Sequence, residues 1–370
     1  MTSIRRKLIL LIVLILGLWA TFSVATYLGW IHGADHRDFY PWWAAARLHF
    51  FEGRDLYALD TTRQMQILLY GHPIALNLDQ QAFHYPAQLL VLLFPLWFIG
   101  NVEVGAAIWS GLSVVFLLAS LAILNRLSIR PRPVSVLVAL LIWQYPLLMI
   151  FQVQITALPL ISLAAAYWAY SRHKDGLAGI SMSLALVKPE LTLVPWAVLT
   201  GIALYNRRWR LPVFFIGTQA GLFLLSLVAA GWWLPGWIAA VSRYSSYAKS
   251  TWAPLTAWQI SPLLAVGVLV GLGLVLSSLR HSPTALFAAS IPLGLLTLPQ
   301  TPFWNLTMLL IPLSLAWQGK GRWVVAFTWV LGWVLFPFPT TWQIQYLVFP
   351  LLALLALALA NRDYSVSLVR

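Results

Sequence analysis

Apolar segments of about 17–25 residues recur from one end of the chain to the other, each long enough to cross roughly 30 Å of hydrocarbon as a helix. Of the 370 residues, 61% are hydrophobic and only 9% are charged, whereas a soluble domain carries about 25% charged residues. In lipid, backbone N–H and C=O groups have to pair within their own segment, which favours helices. The sequence therefore predicts an all-α polytopic membrane protein, folded as a single integral membrane domain over residues 1–370.

The formal net charge is +13, but the basic residues lie in short clusters between apolar segments. Such clusters are typical of cytoplasmic loops, so we expect no nucleic-acid partner. The chain contains no cysteine, which excludes disulfides, thiol nucleophiles and cysteine-ligated metals. Motifs such as HExxH, the P-loop and GxGxxG are also absent, and each of these would mark a metal or nucleotide site. We therefore expect neither a metal nor a cofactor.

Basic clusters also predict the topology in the cytoplasmic membrane. Arg5, Arg6 and Lys7 precede the first apolar segment and predict a cytoplasmic N-terminus. A cleaved signal peptide is the alternative for this segment, but the apolar run continues to Trp30, which favours a retained helix. Later clusters predict five helical hairpins over residues 133–361, with tips on the extracytoplasmic side. These tips lie near Gln152–Gln154, Lys188–Glu190, residues 232–257, Gln300–Asn305 and Thr340–Gln343.

One apolar segment, Tyr85–Asn101, is short for a crossing and contains Pro86 and Pro95. We interpret it as a re-entrant or interfacial helix. With a single crossing at residues 104–125 after it, the chain has about 12 transmembrane helices.

Polar residues are concentrated in one window of this apolar chain. Six of the ten acidic residues and five of the seven histidines lie between His32 and His84. The window falls in the predicted first extracytoplasmic loop, residues 31–86. The stretches "FYPWWAAARLHFF" and "TRQMQILLY" within it are typical of helices that lie in the membrane interface. The second extracytoplasmic loop spans residues 232–257.

Asp38 is the first candidate for chemistry in this loop. A carboxylate at the membrane surface can act as a general base, provided that it stays ionised. Arg37 would help to keep it ionised, and Asp35 is the second candidate. The alternative is that Asp38 is only an N-cap or first-turn acid of the helix that follows.

Lys188 lies between two apolar segments, where a lysine is costly and hence a candidate for function. It could bind a phosphate as a point charge, or it could extend to the interface or pair with Glu190. Arg243 in the second loop could contact sugar or phosphate, or anchor the loop at the interface. The other candidates for substrate binding are Trp42, Tyr85, Gln152 and Asn305.

Several stretches resemble a known family. "DFYPWWAAARLHFFEGRDLY" (Asp38–Tyr57) and "FHYPAQLLVLLFPL" (Phe83–Leu96) resemble the first outer loop of glycosyltransferase family 87. "ALVKPELTLVPW", which contains Lys188, and "IFQVQITALPL", which contains Gln152, are similar to two further family motifs. The resemblance spans roughly residues 5–215. Ala87, Phe151 and Glu190 depart from the family pattern.

This resemblance implies a GT-C type fold and transfer of a sugar from a polyprenyl-phosphate donor, with mannose as the family's typical sugar. It implies that Asp38 is the base of an inverting reaction on the extracytoplasmic face. Lys188, with Arg37 or Arg243, would hold the donor phosphate, and the acceptor would be a lipid or a glycan. Two alternatives stay open: a transporter of lipids or lipid-linked sugars, and an inactive subunit with the same fold.

Overall fold

The structure is a computed structural model that describes residues 2–28, 38–75, 77–127, 132–247, 252–280, 282–299, 303–338 and 341–367. These residues form helices, turns and loops, with no β-strand among them. Two short 3-10 segments, Phe94–Phe98 and Phe303–Leu309, accompany the α-helices. The predicted all-α class is therefore confirmed for the described part of the chain.

The α-helices of the described residues are numbered here in chain order. They are α1 Thr2–Thr26, α2 Tyr40–Glu52, α3 Leu59–Tyr70, α4 Gln88–Leu92, α5 Val102–Leu127, α6 Val134–Leu141, α7 Gln144–Phe151, α8 Ala157–Ser171, α9 Asp175–Ala185, α10 Pro189–Tyr205, α11 Arg210–Ala230, α12 Leu234–Tyr247, α13 Ala253–Ile260, α14 Pro262–Leu279, α15 Pro283–Thr297, α16 Leu310–Leu315, α17 Gly321–Leu335 and α18 Trp342–Ser367.

Four described helical segments are long and apolar enough to cross a membrane: α5, α11, α14 and Gln343–Asn361 within α18. The consecutive helices α6 and α7 meet at a bend of 50°. Counted together as one broken span, they would be a fifth membrane crossing. Shorter apolar helices such as α8, α10 and α15 accompany them. The protein is thus a helical membrane protein, while the number of about 12 crossings stays a prediction.

The long helices differ in how much of their surface the protein covers. In α5 the most apolar stretch is 61% buried, whereas in α14 only 6% is buried. Leu263, Leu269 and Leu274 of α14 are 83%, 66% and 68% exposed. Large exposed apolar surfaces mark contact with a membrane or a partner, and α14 is apolar enough to lie against lipid.

The chain divides into two compact units. The first unit consists of Met1–Leu118, Met149–Ala157 and Ala220–Ala248, and the second of Ala119–Leu148, Leu158–Gln219 and Lys249–Arg370. Each unit is assembled from three separate stretches of chain. The boundaries are therefore not those of two consecutive domains, and a single integral membrane domain stays a prediction.

The two helices predicted in the polar window are present as α2 and α3. Gly53 ends α2 at a φ of +68°, and the Gly53 and Arg54 amides donate to the carbonyls of His49 and Leu48. This left-handed residue after a helix favours glycine, which has no Cβ to clash. Gly71 ends α3 in the same way, at a φ of +78°. The orientation of both helices in the membrane interface stays a prediction.

The segment Tyr85–Asn101 forms no single long helix. It contains the five-residue helix α4 and the 3-10 segment Phe94–Phe98. Five residues of α-helix extend only about 7.5 Å, far short of the hydrocarbon thickness. The segment thus contains no single helix long enough to cross, and its interpretation as a re-entrant or interfacial helix stays a prediction.

Small residues bring α9 and α11 together within the second unit. Ser183 Oγ donates to the Phe215 carbonyl at 2.9 Å, and Gln219 Nε2 donates to the Ser183 carbonyl at 2.8 Å. One turn earlier, a Cβ on Gly179 would lie 2.8 Å from the Phe215 nitrogen and still closer to the Leu211 carbonyl oxygen. This arrangement is typical of membrane helices, where small residues let backbones approach closely.

Replacing Gly179 with alanine is expected to destabilise the protein by about 1–3 kcal/mol, because the new methyl group meets backbone atoms that cannot rotate away. Thermal unfolding in detergent measures the effect. Gly201→Ala in α10 is the matched control, since a Cβ there meets nothing within 4 Å. We expect the control to unfold at or above the wild-type temperature. Equal melting of Gly179→Ala and wild type would contradict the close packing of α9 and α11.

Candidate functional site

Asp38 lies in a turn immediately before α2 and is half-buried. The helix begins at Tyr40, its N-cap residue is Phe39, and its first turn contains no acidic residue. The interpretation of Asp38 as the N-cap or as a first-turn acid is therefore wrong, because the helix starts two residues later. Asp38 still lies beside the positive end of the helix dipole, which favours an ionised carboxylate. Asp35 and Arg37 lie outside the described residues, and their roles stay predictions.

Trp42 is buried in the interior of the first unit, with only 1% of its surface exposed. Its ring centroid lies 5.1 Å from that of Phe39, 5.8 Å from Trp109 and 6.0 Å from Tyr85. These edge and tilted contacts suit the quadrupoles of aromatic rings, and they fix the first turn of α2. The sequence led us to expect Trp42 at the interface. Its contact with a sugar or lipid stays a prediction.

Tyr85 and Arg243 belong to one hydrogen-bonded chain within the first unit. The Tyr57 hydroxyl donates to the Tyr85 carbonyl at 2.9 Å, and Arg243 Nη2 donates to the Tyr57 carbonyl at 2.7 Å. Tyr57 itself is 5% exposed. The arrangement ties α12, which carries Arg243, to the loop that contains Asp38. Both predicted roles of Arg243, contact with sugar or phosphate and anchoring of the loop at the interface, stay predictions.

Gln152 lies in the turn after α7 and is half-buried. Val153, the next residue, has a φ of +52°, an uncommon conformation for a β-branched residue. The Trp109 indole donates to the Gln154 carbonyl at 3.0 Å. This bond holds the turn against the aromatic cluster of the first unit, and the function of Gln152 stays a prediction.

Lys188 lies in the second unit, at the break between α9 and α10. Its φ and ψ of −130° and 77° are not helical, and Pro189 occupies the first turn of α10. A residue before proline avoids the α region, so the helix is interrupted at Lys188. A break between two helices therefore lies at the position of the predicted hairpin tip, Lys188–Glu190.

The Lys188 side chain is buried, with 4% of its surface exposed. Its Nζ atom donates to Asn305 Oδ1 at 2.7 Å, and Asn305 is fully buried. Glu190 lies close enough to interact electrostatically with Lys188. The interpretation that Lys188 extends to the interface is wrong, because the second unit encloses it. Three predicted site residues therefore come together, two of them 117 positions apart.

A buried ammonium group that stays charged can stabilise negative charge that develops in a reaction. Asn305 accepts a hydrogen bond without cancelling the charge of Lys188. The cluster of Lys188, Glu190 and Asn305 thus holds a buried amine in a fixed position.

His84 is a residue of the first unit that no motif singles out in the sequence beyond its place before Tyr85-Pro86. Its Nε2 atom lies 2.9 Å from the Tyr247 hydroxyl, and its backbone carbonyl accepts a hydrogen bond from the Trp237 indole at 2.9 Å. The high density of histidines in the polar window was the sequence feature that could have pointed to His84. His84 thus joins the window to α12.

Among the residues that the structure describes, His, Asp and Glu side chains nowhere form a group of three that could hold a metal ion. The expectation of a reaction without a metal or cofactor stays a prediction.

Apolar helices long enough to span a membrane define a helical membrane protein, which has a half-buried carboxylate beside a helix terminus and a buried lysine. The family model for glycosyltransferase family 87 matches residues 83–302, more than half of the chain. The chain therefore belongs to glycosyltransferase family 87, and it is a membrane glycosyltransferase. No curated protein and no solved structure matches it.

The family match covers part of the region on which the resemblance rests. Phe83–Leu96, Gln152 and Lys188 lie within residues 83–302, whereas Asp38 lies before them. The match extends to residue 302, beyond the resemblance that ends near residue 215. The family match therefore gives no support for a role of Asp38, and that support comes from its position in the structure and from its chemistry.

Proposed function

We propose that the protein transfers a sugar from a polyprenyl-phosphate donor to a hydroxyl group of a lipid or glycan acceptor. Mannose is the first candidate sugar, and the extracytoplasmic face is the proposed side. Membership of a glycosyltransferase family supports the reaction class. A lipid-linked donor suits a chain with no nucleotide-binding motif and a mean hydropathy of +0.81, since such a donor arrives through the bilayer.

In the proposed reaction, Asp38 takes the proton of the acceptor hydroxyl as its oxygen attacks the anomeric carbon of the donor sugar. The bond between that carbon and the phosphate oxygen breaks, and polyprenyl phosphate leaves with the bonding electrons. Attack from the side opposite the leaving group inverts the anomeric configuration. The observation that carries this proposal is the half-buried carboxylate beside the N-terminus of α2, where the helix dipole opposes its protonation.

Lys188 is the proposed partner of the donor phosphate. Its ammonium group is preorganised by Asn305, and a fixed cation stabilises leaving-group charge better than mobile water does. On this proposal no metal is needed, because side-chain cations supply the charge.

Purified protein is expected to transfer radiolabelled sugar to a membrane-lipid and glycan mixture from one of three donors: polyprenyl-phosphate-mannose, -glucose or -arabinose. The assay is run in detergent, where no second compartment exists. The product is separated by thin-layer chromatography, and the anomeric proton coupling of the new linkage reports inversion. We expect polyprenyl-phosphate-mannose to be the active donor.

Two alternative functions give different results in the same assay. A transporter of lipid-linked sugar would move donor across reconstituted vesicles and form no product in detergent. An inactive subunit would bind polyprenyl phosphate and form no product with any acceptor. Folded protein that gives no product from any of the three donors would overturn the proposed reaction.

A further inference from the structure

A cavity of about 180 Å³ lies within the first unit, roughly the liquid volume of six water molecules. Its walls come from three parts of the chain: residues 57–62 around the start of α3, residues 80–84, and α12. Leu59, Phe83 and Ala240 supply apolar walls, and Tyr57, Arg243 and Tyr247 supply hydrogen-bonding groups. A concave site with apolar walls and a few converging polar groups is the usual form of a small-molecule site.

The polar groups of this cavity are held in place by contacts outside it. The Tyr247 hydroxyl lies 2.9 Å from His84 Nε2, and the His84 ring centroid lies 4.3 Å from that of Tyr244. Arg243 uses one N–H on the Tyr57 carbonyl, and a guanidinium group has five such donors. Arg243 therefore presents donors with little freedom to reorganise, which favours binding. Tyr247 presents its single O–H when the His84 proton is on Nε2 and is donated to the Tyr247 oxygen.

The charge of the lining favours a neutral ligand over an anion. Burial, and then the guanidinium of Arg243, lower the pKa of His84 to about 3, so its ring is neutral at physiological pH. Burial and the negative charge of Asp79 raise the pKa of the Tyr247 phenol, so this group stays a neutral donor. Arg243 is the only cation among the described residues that line the cavity, and Asp79 nearby would repel a phosphate.

We propose that this cavity binds one sugar residue of the acceptor, with Arg243 and Tyr247 donating hydrogen bonds to its hydroxyls and Phe83 and Leu59 packing against its C–H groups. The inference rests on the proposed function, and it assigns Arg243 to the acceptor rather than to the donor phosphate. Neutral hydroxyl groups match the lining better than a phosphate does. A cavity of this size suits a single pyranose ring.

The location of the cavity favours the acceptor, rather than the donor, as its ligand. A general base acts on the acceptor hydroxyl, and Asp38 belongs to the same unit as the cavity. Tyr57 in the cavity wall donates to the Tyr85 carbonyl, and the Tyr85 ring contacts Trp42 in the first turn of α2. This chain of contacts connects the cavity to the helix that Asp38 precedes.

Kinetics with variable acceptor and saturating donor test the assignment. Tyr247→Phe keeps the ring and removes the hydroxyl, and Arg243→Gln removes the charge. Each lost hydrogen bond is expected to raise the KM for the acceptor about three- to tenfold, with the KM for the donor unchanged. Ser245→Ala is the control, because Ser245 is exposed on α12 next to the cavity-lining Ser246, and its hydroxyl donates to the Ser242 carbonyl. Melting temperatures identify any variant that fails to fold.

Direct binding separates this inference from the proposed reaction. Saturation-transfer NMR is recorded on protein in lipid nanodiscs with methyl mannoside and methyl glucoside as probes, and 31P NMR line broadening reports binding of inorganic phosphate. Binding of a glycoside to the wild type, weakened in Tyr247→Phe and unchanged in Ser245→Ala, supports the cavity even if no donor is used. Phosphate binding without glycoside binding, no glycoside binding, or unchanged acceptor KM in both cavity variants overturns it.

Discussion

An Asp38→Asn enzyme is expected to fold normally and to transfer sugar about 10²–10⁴-fold more slowly than the wild type. The amide has nearly the same shape as the carboxylate but cannot accept the proton of the acceptor hydroxyl. The loss should appear in kcat, because the base acts in the transition state. The rate of product formation from the active polyprenyl-phosphate sugar measures the loss of activity. The melting temperature measures whether the variant folds normally.

Asp60→Asn is the matched control for this experiment. Asp60 lies in the same loop, and its side chain is 83% exposed and pairs with Arg54 at 2.8 Å. An exposed ion pair of this kind contributes at most about 1 kcal/mol, so the control should keep its activity. If Asp38→Asn retained the wild-type kcat, the base would have to be a different residue, and Asp35 would be the next to test.

Local sequence was sufficient to predict the helices around Asp38. The aromatic and alanine-rich stretch after Pro41 and the amphipathic stretch before Tyr70 predicted α2 and α3, and Gly53 and Gly71 end them with left-handed φ values. The break before α10 lies where a hairpin tip was predicted, and Pro189 favours it because the residue before a proline avoids the α region. In each case, the chemistry of neighbouring residues determines the backbone.

Contacts between distant residues could not be predicted in the same way. The hydrogen bond between Lys188 and Asn305 joins positions 117 apart, and that between His84 and Tyr247 joins positions 163 apart. The sequence placed such residues on a common side of the membrane but could not pair them. Pairing depends on how helices pack, and apolar segments with little amphipathicity carry few signals for it.

Burial of aromatic residues is a second point on which sequence was a poor guide. Trp42 and Trp43 are adjacent, and either could anchor a helix at the membrane interface. In the structure, Trp42 is 1% exposed within an aromatic cluster, whereas the Trp43 indole donates to the Ile99 carbonyl at 3.0 Å. A tryptophan has an apolar ring and one donor, so it fits both environments, and the neighbouring helices decide between them.

A Lys188→Met enzyme is expected to show a kcat/KM for the donor about 10²–10³-fold below that of the wild type. Methionine keeps the length of the buried side chain and removes the charge that would stabilise the departing phosphate. Lys188→Arg keeps the charge and is expected to retain more activity than Lys188→Met. Initial rates at several donor concentrations, with acceptor saturating, give the ratio.

A purely structural role of Lys188 would produce a different pattern. Lys188→Met leaves the buried Asn305 amide without the hydrogen bond at 2.7 Å, which costs about 1–3 kcal/mol. Asn305→Leu in the same background removes the amide that accepted this hydrogen bond. If Lys188 only stabilises the fold, the double variant should recover both melting temperature and activity. If it binds the donor phosphate, stability should recover while kcat/KM stays low, because no packing change restores a positive charge beside the leaving group.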